Sequence, residues 1–331
     1  MDISVIICTW NRCDLLRQTL QAFGGLCVSA DVEWELLVVD NASTDNTHEV
    51  VTEFQDLLPV RYVFETRQGK SNAANRAVRE SSGKILAWTD DDALVSSDWL
   101  TQVLTVFEAT QADIIYGRVE PWWETQSPAW FTEQMSGRFA LLDHGDECRV
   151  MSPEEGYGYG VNYAFRRSVF KLIGPFAPDL GPNGGLGFGG EDTLLFRKAH
   201  EHQLRVVYSP DVLIKHFIPR ERCNRSYFRR RQWRGSRDEL RMMRLRHGAP
   251  KGMLGLPRYR YRQAFSDLIK LSKETLVGKY DKVFHLELRV IGFAGLFWNA
   301  VKSSCRGFFF FRKPVQDQSS QGPSGLDERE H

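Results

Sequence analysis

The chain is poor in the features that mark many protein classes. Six of its 331 residues are cysteine: Cys8, Cys13, Cys27, Cys148, Cys223 and Cys305. No two form a C-x-x-C pair, and Cys8 sits inside an apolar run, so buried reduced thiols are expected rather than a disulfide framework. No stretch of ~20 consecutive apolar residues occurs, so no segment reads as a membrane-spanning helix. The first residues, MDISVIICTW, carry no basic leader and enter a strand-like pattern at once; no signal peptide is expected. No glycine-rich phosphate loop follows that first apolar run. "CTWNRCDLL" stands there instead, which argues against a dinucleotide fingerprint. No internal repeat is visible, and the net charge of +1 selects no partner.

What is present suffices for a large folded unit. Hydrophobic residues make up 42% and charged residues 26% of the chain, enough for a full core and against global disorder. The charge is unevenly placed. Between Arg220 and Arg262 stand fourteen arginines and one lysine against three acids, a net charge of +12 that leaves the rest of the chain near −11. Such asymmetry points to an anionic partner for the basic segment. Its arginines recur along a helical pattern, and nucleic acid is the weaker expectation for that partner.

The first 120 residues alternate strand and helix. Ile3–Cys8, Glu35–Val39, Val60–Phe64, Lys84–Trp88 and Asp113–Val119 are short apolar, β-branched runs of the kind expected of strands buried on both faces. Between them lie helical patterns at Asp14–Phe23, from Ser43 or Thr44 to about Phe54, at Ser71–Arg79 and at Asp98–Phe107. This rhythm predicts an α/β fold with a doubly wound, mostly parallel sheet. Ligands of such sheets bind beyond the carboxyl ends of the strands, and Asp40 and Asp90–Asp92 end two of these strands.

After Pro121 the rhythm breaks. An aromatic segment from Pro121 to Phe131 is either a ligand-stacking surface or a hydrophobic plug over the sheet. Val161–Phe165 reads as a strand. A glycine loop, "GPNGGLGFGG" at 181–190, opens onto a helix from Glu191 to about His202. Two short strands, Leu204–Tyr208 and Val212–Lys215, precede three helices at about 224–246, 261–277 and 282–301. The tail 313–331 is polar and expected to be disordered.

The acids carry the chemistry. An acid pair at a strand end is most simply a solvated loop or a helix cap. Three consecutive carboxylates repel one another, and a hard divalent cation offsets that cost while completing its shell with substrate phosphates. A phosphatase using an Asp nucleophile would place its acids after the first strand; here they follow the fourth. Glu191 and Asp192, at a helix start after a glycine loop, are either helix-capping acids or a general base on an acceptor loop. His216, in "VLIKHFIP", is either a packed core histidine or a metal ligand.

Six segments in order are similar to glycosyltransferase family 2, whose fold is of the GT-A type: "SVIICTWNR" (4–12), "LLVVDNASTDNT" (36–47), "GKSNAANRAV" (69–78), "LAWTDDDA" (86–93), "GGEDTLL" (189–195) and "LIKHF" (213–217). The resemblance implies a Rossmann-like nucleotide-sugar half at 1–120, an acceptor half at 121–217 and a basic helical extension at 218–312. It implies that Thr9, Trp10 and Arg12 border the nucleotide pocket, that Asp40 holds the base or ribose, and that Lys70 and Asn75 approach the ribose or diphosphate. Asp90, Asp91 and Asp92 would form the D-x-D type motif, with Asp90 and Asp91 toward the donor and Asp90, Asp92 and His216 toward manganese or magnesium. Asp192 would be the catalytic base and Glu191 its neighbour. The chain departs from the family's "A-R-N-x-G" at Ala73–Ala77, where the arginine is missing and Arg67 or Arg76 could substitute. No multi-span channel follows the faint "RRQWRG" motif (230–235), so transfer of one sugar is expected rather than polymer extrusion.

The implied activity is inverting, metal-assisted transfer from a nucleoside-diphosphate sugar, a UDP-sugar before others, to a hydroxyl of a glycan or lipid-linked saccharide acceptor in cell-surface polysaccharide or glycoconjugate synthesis. A non-catalytic nucleotide-sugar or glycan-binding protein would not need Glu191-Asp192, and a metal-dependent nucleotidyltransferase would carry a glycine- and arginine-rich loop after its first strand. The expected location is cytoplasmic. The basic segment, "FAGLFWNAV" (293–301) and "GFFFFRKP" (307–314) either rest peripherally on an anionic membrane surface or pack on the catalytic domain.

Overall fold

The computed structural model describes residues 1–182, 189–247, 252–278 and 280–310. The tail 313–331, the middle of the glycine loop and the side chains of Phe308–Phe311 lie outside the described residues.

The N-terminal part is a run of β/α units: β1 (Ile3–Thr9), α1 (Cys13–Phe23), β2 (Trp34–Asp40), α2 (Thr47–Glu53), β3 (Val60–Phe64), α3 (Lys70–Glu80) and β4 (Ile85–Asp90). The strands are continuous apolar runs because helices cover both faces of the sheet; Val5, Ile6, Ile7, Leu36, Leu37, Val38 and Leu86 are fully buried. α1 turns Leu16, Leu20 and Phe23 inward at helical spacing. Then come β5 (Ala93–Val95), α4 (Trp99–Thr110), β6 (Ile114–Trp123), β7 (Arg149–Val150), β8 (Asn162–Arg166), α5 (Val169–Ile173), α6 (Glu191–Glu201) and β9 (Val206–Ile218). Three long helices follow: α7 (Arg225–His247), α8 (Arg258–Leu276) and α9 (Tyr280–Phe310). Among the described residues no helix is long and apolar enough to cross a membrane.

All nine strands join one sheet in the order β3-β2-β1-β4-β8-β6-β9-β5, with β7 beside β9. The pairs β3–β2, β2–β1, β1–β4 and β6–β9 are parallel. β8 runs antiparallel between β4 and β6, and β5 and β7 pair antiparallel with β9. The register sets Thr9 beside Asp40 and Cys8 beside Asp90, so the acidic tips of β2 and β4 flank the end of β1.

Two differences from the sequence expectation concern this edge. The acidic triplet leads straight into β5, whose Ala93 pairs with His216 of β9; three residues are too few for periodicity to reveal a strand. The two short strands expected at 204–208 and 212–215 are one strand, β9, running through Pro210. The β6–β9 register shifts between Gly117 and Val119, beside the proline that cannot donate to the ladder. Gly117 is needed there: a Cβ would lie 1.8 Å from the Val212 carbonyl oxygen.

The aromatic segment packs as a plug. Trp123 meets Phe131 and Phe139 edge-on at ring separations of 5.3 and 5.4 Å. Trp130 lies against Phe228 of α7 and Phe284 of α9, at 5.8 and 4.9 Å. Phe228, Phe284 and Leu288 belong to the same buried cluster as the sheet, so these rings tie the C-terminal helices to it. Further along α9, Leu296 and Ala300, within "FAGLFWNAV", are buried with Leu240 and Leu256. That face of the stretch packs on protein, while its Trp298 is 49% exposed.

Candidate active site

The strand-tip loops carry unusual backbone. Asn11 and Ala42, just after β1 and β2, both have positive φ, 51° and 62°. Non-glycine residues adopt this region at a cost, and such positions gather at functional sites. Asp40 closes the β2 loop: one oxygen accepts from the Ser43 amide at 2.8 Å and the other from the Tyr62 hydroxyl at 2.7 Å. Trp10, directly after the β1 residue Thr9 that pairs with Asp40, is exposed.

The three consecutive acids have three different environments. Lys70, the first residue of α3, donates to Asp90 Oδ1. Burial works against the lysine's charge, but Asp90 and Glu191 outweigh it and raise its pKa, so it stays a cation. Asp91 accepts from the Thr9 hydroxyl at 2.8 Å and from Arg12 at 3.0 Å. Burial pushes Asp91 up to about 6, against the pull of Arg12. The same Arg12 nitrogen reaches Asp92 Oδ2 at 2.9 Å. Burial raises Asp92 too, but His216 and Arg12 outweigh burial and hold it below the usual carboxylate range. The repulsion attributed to the triplet is thus offset in good part by Arg12 and Lys70. Sequence reasoning placed Arg12 at the nucleotide pocket; here it neutralises Asp91 and Asp92.

Glu191 and Asp192 open α6. Asp192 Oδ2 accepts from the Gly160 amide at 3.1 Å and Oδ1 from the Thr193 amide at 2.6 Å, which fixes the carboxylate. Glu191 is buried, and its Oε2 has no hydrogen-bond partner. Burial first, then the Asp192 charge, push its carboxyl up to about 7, against the attraction of Lys70. The start of the glycine loop is tied to α3: the Lys70 amide donates to the Pro182 carbonyl at 3.0 Å and the Ser71 hydroxyl to the Leu180 carbonyl at 2.7 Å.

Of these groups Lys70, Asp90 and Asp192 line a cavity of about 400 Å³, together with Gly160, Arg222 and Arg231 among others, while Asp91, Asp92 and Glu191 are buried behind it. Gly160 lies on its wall. A Cβ there would sit 3.5 Å from Lys70 Nζ and 3.8 Å from Asp192 Oδ2, so both charged groups converge on this glycine. Asn75, expected near the ribose or diphosphate, clamps backbone: its amide nitrogen donates to the Phe176 carbonyl and its oxygen accepts from the Phe176 amide, both at 2.9 Å. Arg67 and Arg76 pair with Glu65 and Glu80. Sequence reasoning missed Arg138, Arg222, Arg231 and Gln232, which line the cavity from the far side. Three of these four lie in the basic segment, whose charge was the available signal.

Metal binding was expected at Asp90, Asp92 and His216. Among the described residues no three His, Cys, Asp or Glu side chains form a ready cluster. Two donor atoms nevertheless face each other. His216 Nδ1 lies 2.8 Å from the Phe139 carbonyl oxygen. A carbonyl only accepts, so Nδ1 carries a hydrogen, and Nε2 donates in the imidazolium and bears a lone pair in the neutral ring. That Nε2 is 3.5 Å from Asp92 Oδ1, which is buried and has no hydrogen-bond partner. The imidazolium pairs directly with Asp92; in the neutral ring the two atoms are facing acceptors that a cation would join, and a carboxylate with an imidazole suits a manganese-type ion. The residues fit the group.

Comparison with known proteins agrees with this architecture. The chain is 27% identical over 246 residues to the succinoglycan biosynthesis protein ExoM of Rhizobium meliloti, covering 73% of this chain and 75% of that one. It is 32% identical over 119 residues to the UDP-Glc:alpha-D-GlcNAc-diphosphoundecaprenol beta-1,3-glucosyltransferase WfgD of Escherichia coli, covering 36% and 46%. Among three curated relatives the chain spans from 53% to 75% of the relative's own length. The fold is shared with the mannosyltransferase PcManGT of Pyrobaculum calidifontis, solved with GDP-Man and Mn2+: TM-score 0.54, 18% identity, 93% of this chain and 79% of that one. This is the GT-A type fold. The model of glycosyl transferase family 2 matches residues 4–174, more than half the chain, and the chain belongs to that family.

Proposed function

We propose that the protein is an inverting glycosyltransferase. It moves one sugar from a nucleoside-diphosphate sugar to a hydroxyl of a glycan or lipid-linked saccharide, at the cytoplasmic side of a membrane, in polysaccharide or glycoconjugate synthesis. The observation that carries this reading is the shared cavity, in which the Asp90–Lys70 pair and Asp192 converge across Gly160.

The roles follow from the chemistry of each group. A divalent cation held by Asp92 and His216, with Asp90 beside them, would neutralise charge developing on the leaving diphosphate. Lys70 is a fixed cation on the cavity wall, held by Asp90, and supplies further positive potential where the phosphates lie. Asp192 takes the proton of the attacking hydroxyl at its carboxylate, which the Gly160 and Thr193 amides aim into the cavity. The hydroxyl attacks opposite the leaving group, and a single displacement inverts the anomeric centre. Glu191 sets the field around Asp192 and Lys70. Relatives named for a diphosphoundecaprenol-linked substrate and for succinoglycan synthesis support a lipid-linked or polysaccharide acceptor.

The test uses Asp192→Asn with a panel of nucleotide sugars and manganese. Transfer should fall by about 10²–10⁴-fold, the usual worth of a general base, while donor-induced thermal stabilisation persists. Undiminished transfer would overturn the role of Asp192. Pyrophosphate as product, in place of a nucleoside diphosphate, would overturn the reaction class in favour of nucleotidyl transfer.

A further inference from the structure

Helix α8 is amphipathic in the opposite sense to a helix packed on protein. Its inward stripe is largely polar: Arg260, Ala264, Asp267, Leu271 and Glu274, at spacings of three and four, are buried or half-buried. Asp267, only 4% exposed, forms an ion pair with Arg289 of α9 at 2.9 Å, and Arg260 pairs with Glu239 of α7. The outward face is apolar. Phe265 is 67% exposed, Leu268 49%, Ile269 53% and Leu276 88%. Monomeric soluble proteins rarely leave such a contiguous set in water.

The charges around that face all have one sign. Arg258, Arg262, Lys270 and Lys273 are exposed, and among the described residues none has an ion-pair partner. The only acids of α8, Asp267 and Glu274, sit on the packed stripe. A helix that offers aromatic and aliphatic side chains with only basic residues around them matches the headgroup zone of an anionic bilayer. There the apolar face enters the acyl boundary and the cations meet lipid phosphates. A second copy of this face would set like charges against one another.

We propose that α8 is a membrane-docking helix that lies in the surface of an anionic phospholipid bilayer, with Phe265, Leu268, Ile269 and Leu276 inserted and Arg258, Arg262, Lys270 and Lys273 against the phosphates. This docking surface stands on α8 alone and does not depend on the transfer chemistry.

The full-length protein is sedimented with vesicles of phosphatidylcholine alone or mixed with phosphatidylglycerol. Binding to the mixed vesicles, weakened by salt, is expected. F265S/I269S should lower the partition coefficient by about tenfold or more, from the apolar area withdrawn from the bilayer. R262E/K273E should lower it as well and flatten its salt dependence. All four side chains are exposed, so both variants keep the fold, which circular dichroism checks. Absence of binding to the mixed vesicles at low salt, or binding that F265S/I269S leaves unchanged, would overturn the proposal. So would a dimer that F265S/I269S dissociates without any vesicle binding, which would assign the face to a second copy.

Discussion

Replacing Glu191 by glutamine should stabilise the metal-free protein at neutral to alkaline pH and leave it unchanged in acid. The carboxyl is buried at the start of α6, its Oε2 has no hydrogen-bond partner, and Asp192 lies beside it. Burial and that neighbouring charge raise it from 4.5 to about 7, Lys70 opposing. A rise of this size corresponds to about 3 kcal/mol of preference for the neutral form in the folded protein. An acid whose folded pKa is raised penalises folding where both states are ionised. The penalty is complete above about 7, shrinks as pH falls from there to the unfolded value, and is absent below about 4.5. Glutamine keeps the volume and removes the charge, so the variant should gain up to about 3 kcal/mol at about pH 8, less at about pH 6 and nothing at about pH 4. Urea unfolding of wild type and variant in chelator, across this range, reads the difference directly. A gap that does not change with pH, or a variant less stable than wild type at about pH 8, would refute the reasoning. Slower transfer should accompany the gain, because a buried charge that costs stability is retained for the site's chemistry.

Three further outcomes are expected. Chelator should stop transfer, and manganese or magnesium should restore it; full activity in chelator would remove the cation from the Asp92–His216 pair. Arg12→Gln should destabilise the protein by on the order of 2 kcal/mol, because two buried carboxylates lose their shared partner, the half-exposed guanidinium keeping the loss below that of a fully buried pair; an unchanged urea midpoint would contradict the assignment. Gly117→Ala should cost more than about 3 kcal/mol or prevent folding, since its Cβ would overlap the Val212 carbonyl oxygen and push β6 from β9; a soluble variant of normal stability would show that the strands separate easily.

The β/α half was legible because strands buried on both faces are plain apolar runs, and their acidic tips stand out against them. Contacts that cross the chain were not legible. Arg12 reaches Asp91 and Asp92 across about eighty residues, and no local period records that. Asn75 sits in a motif-like stretch, yet the chain uses it to hold Phe176. β5 was too short to see, although it is the strand that brings Ala93, directly after Asp92, beside His216. The basic segment was visible as charge, but nothing in its spacing separates Arg222 and Arg231, which line the cavity, from Arg229, which pairs with Glu287.

Helix α8 gives the sharper lesson, because its pattern was readable and would have misled. Phe265, Leu268, Ile269 and Leu276 form an apolar face at helical spacing. By the ordinary rule that face turns inward. The structure turns it outward because the neighbouring helices offer α8 a charged seat: Glu239 on α7 meets Arg260, and Arg289 on α9 meets Asp267. An ion pair to a carboxylate that is already buried is costly to break, since the remaining partner would stay desolvated and alone. Once α7 and α9 are packed on each other, rotating α8 to bury Phe265 would break both pairs and set an apolar face against Glu239 and Arg289, which would lose their partners. Hydrophobic period therefore tells that α8 is a helix with two unlike faces, and the charges on its neighbours decide which face the protein keeps and which it leaves for something else.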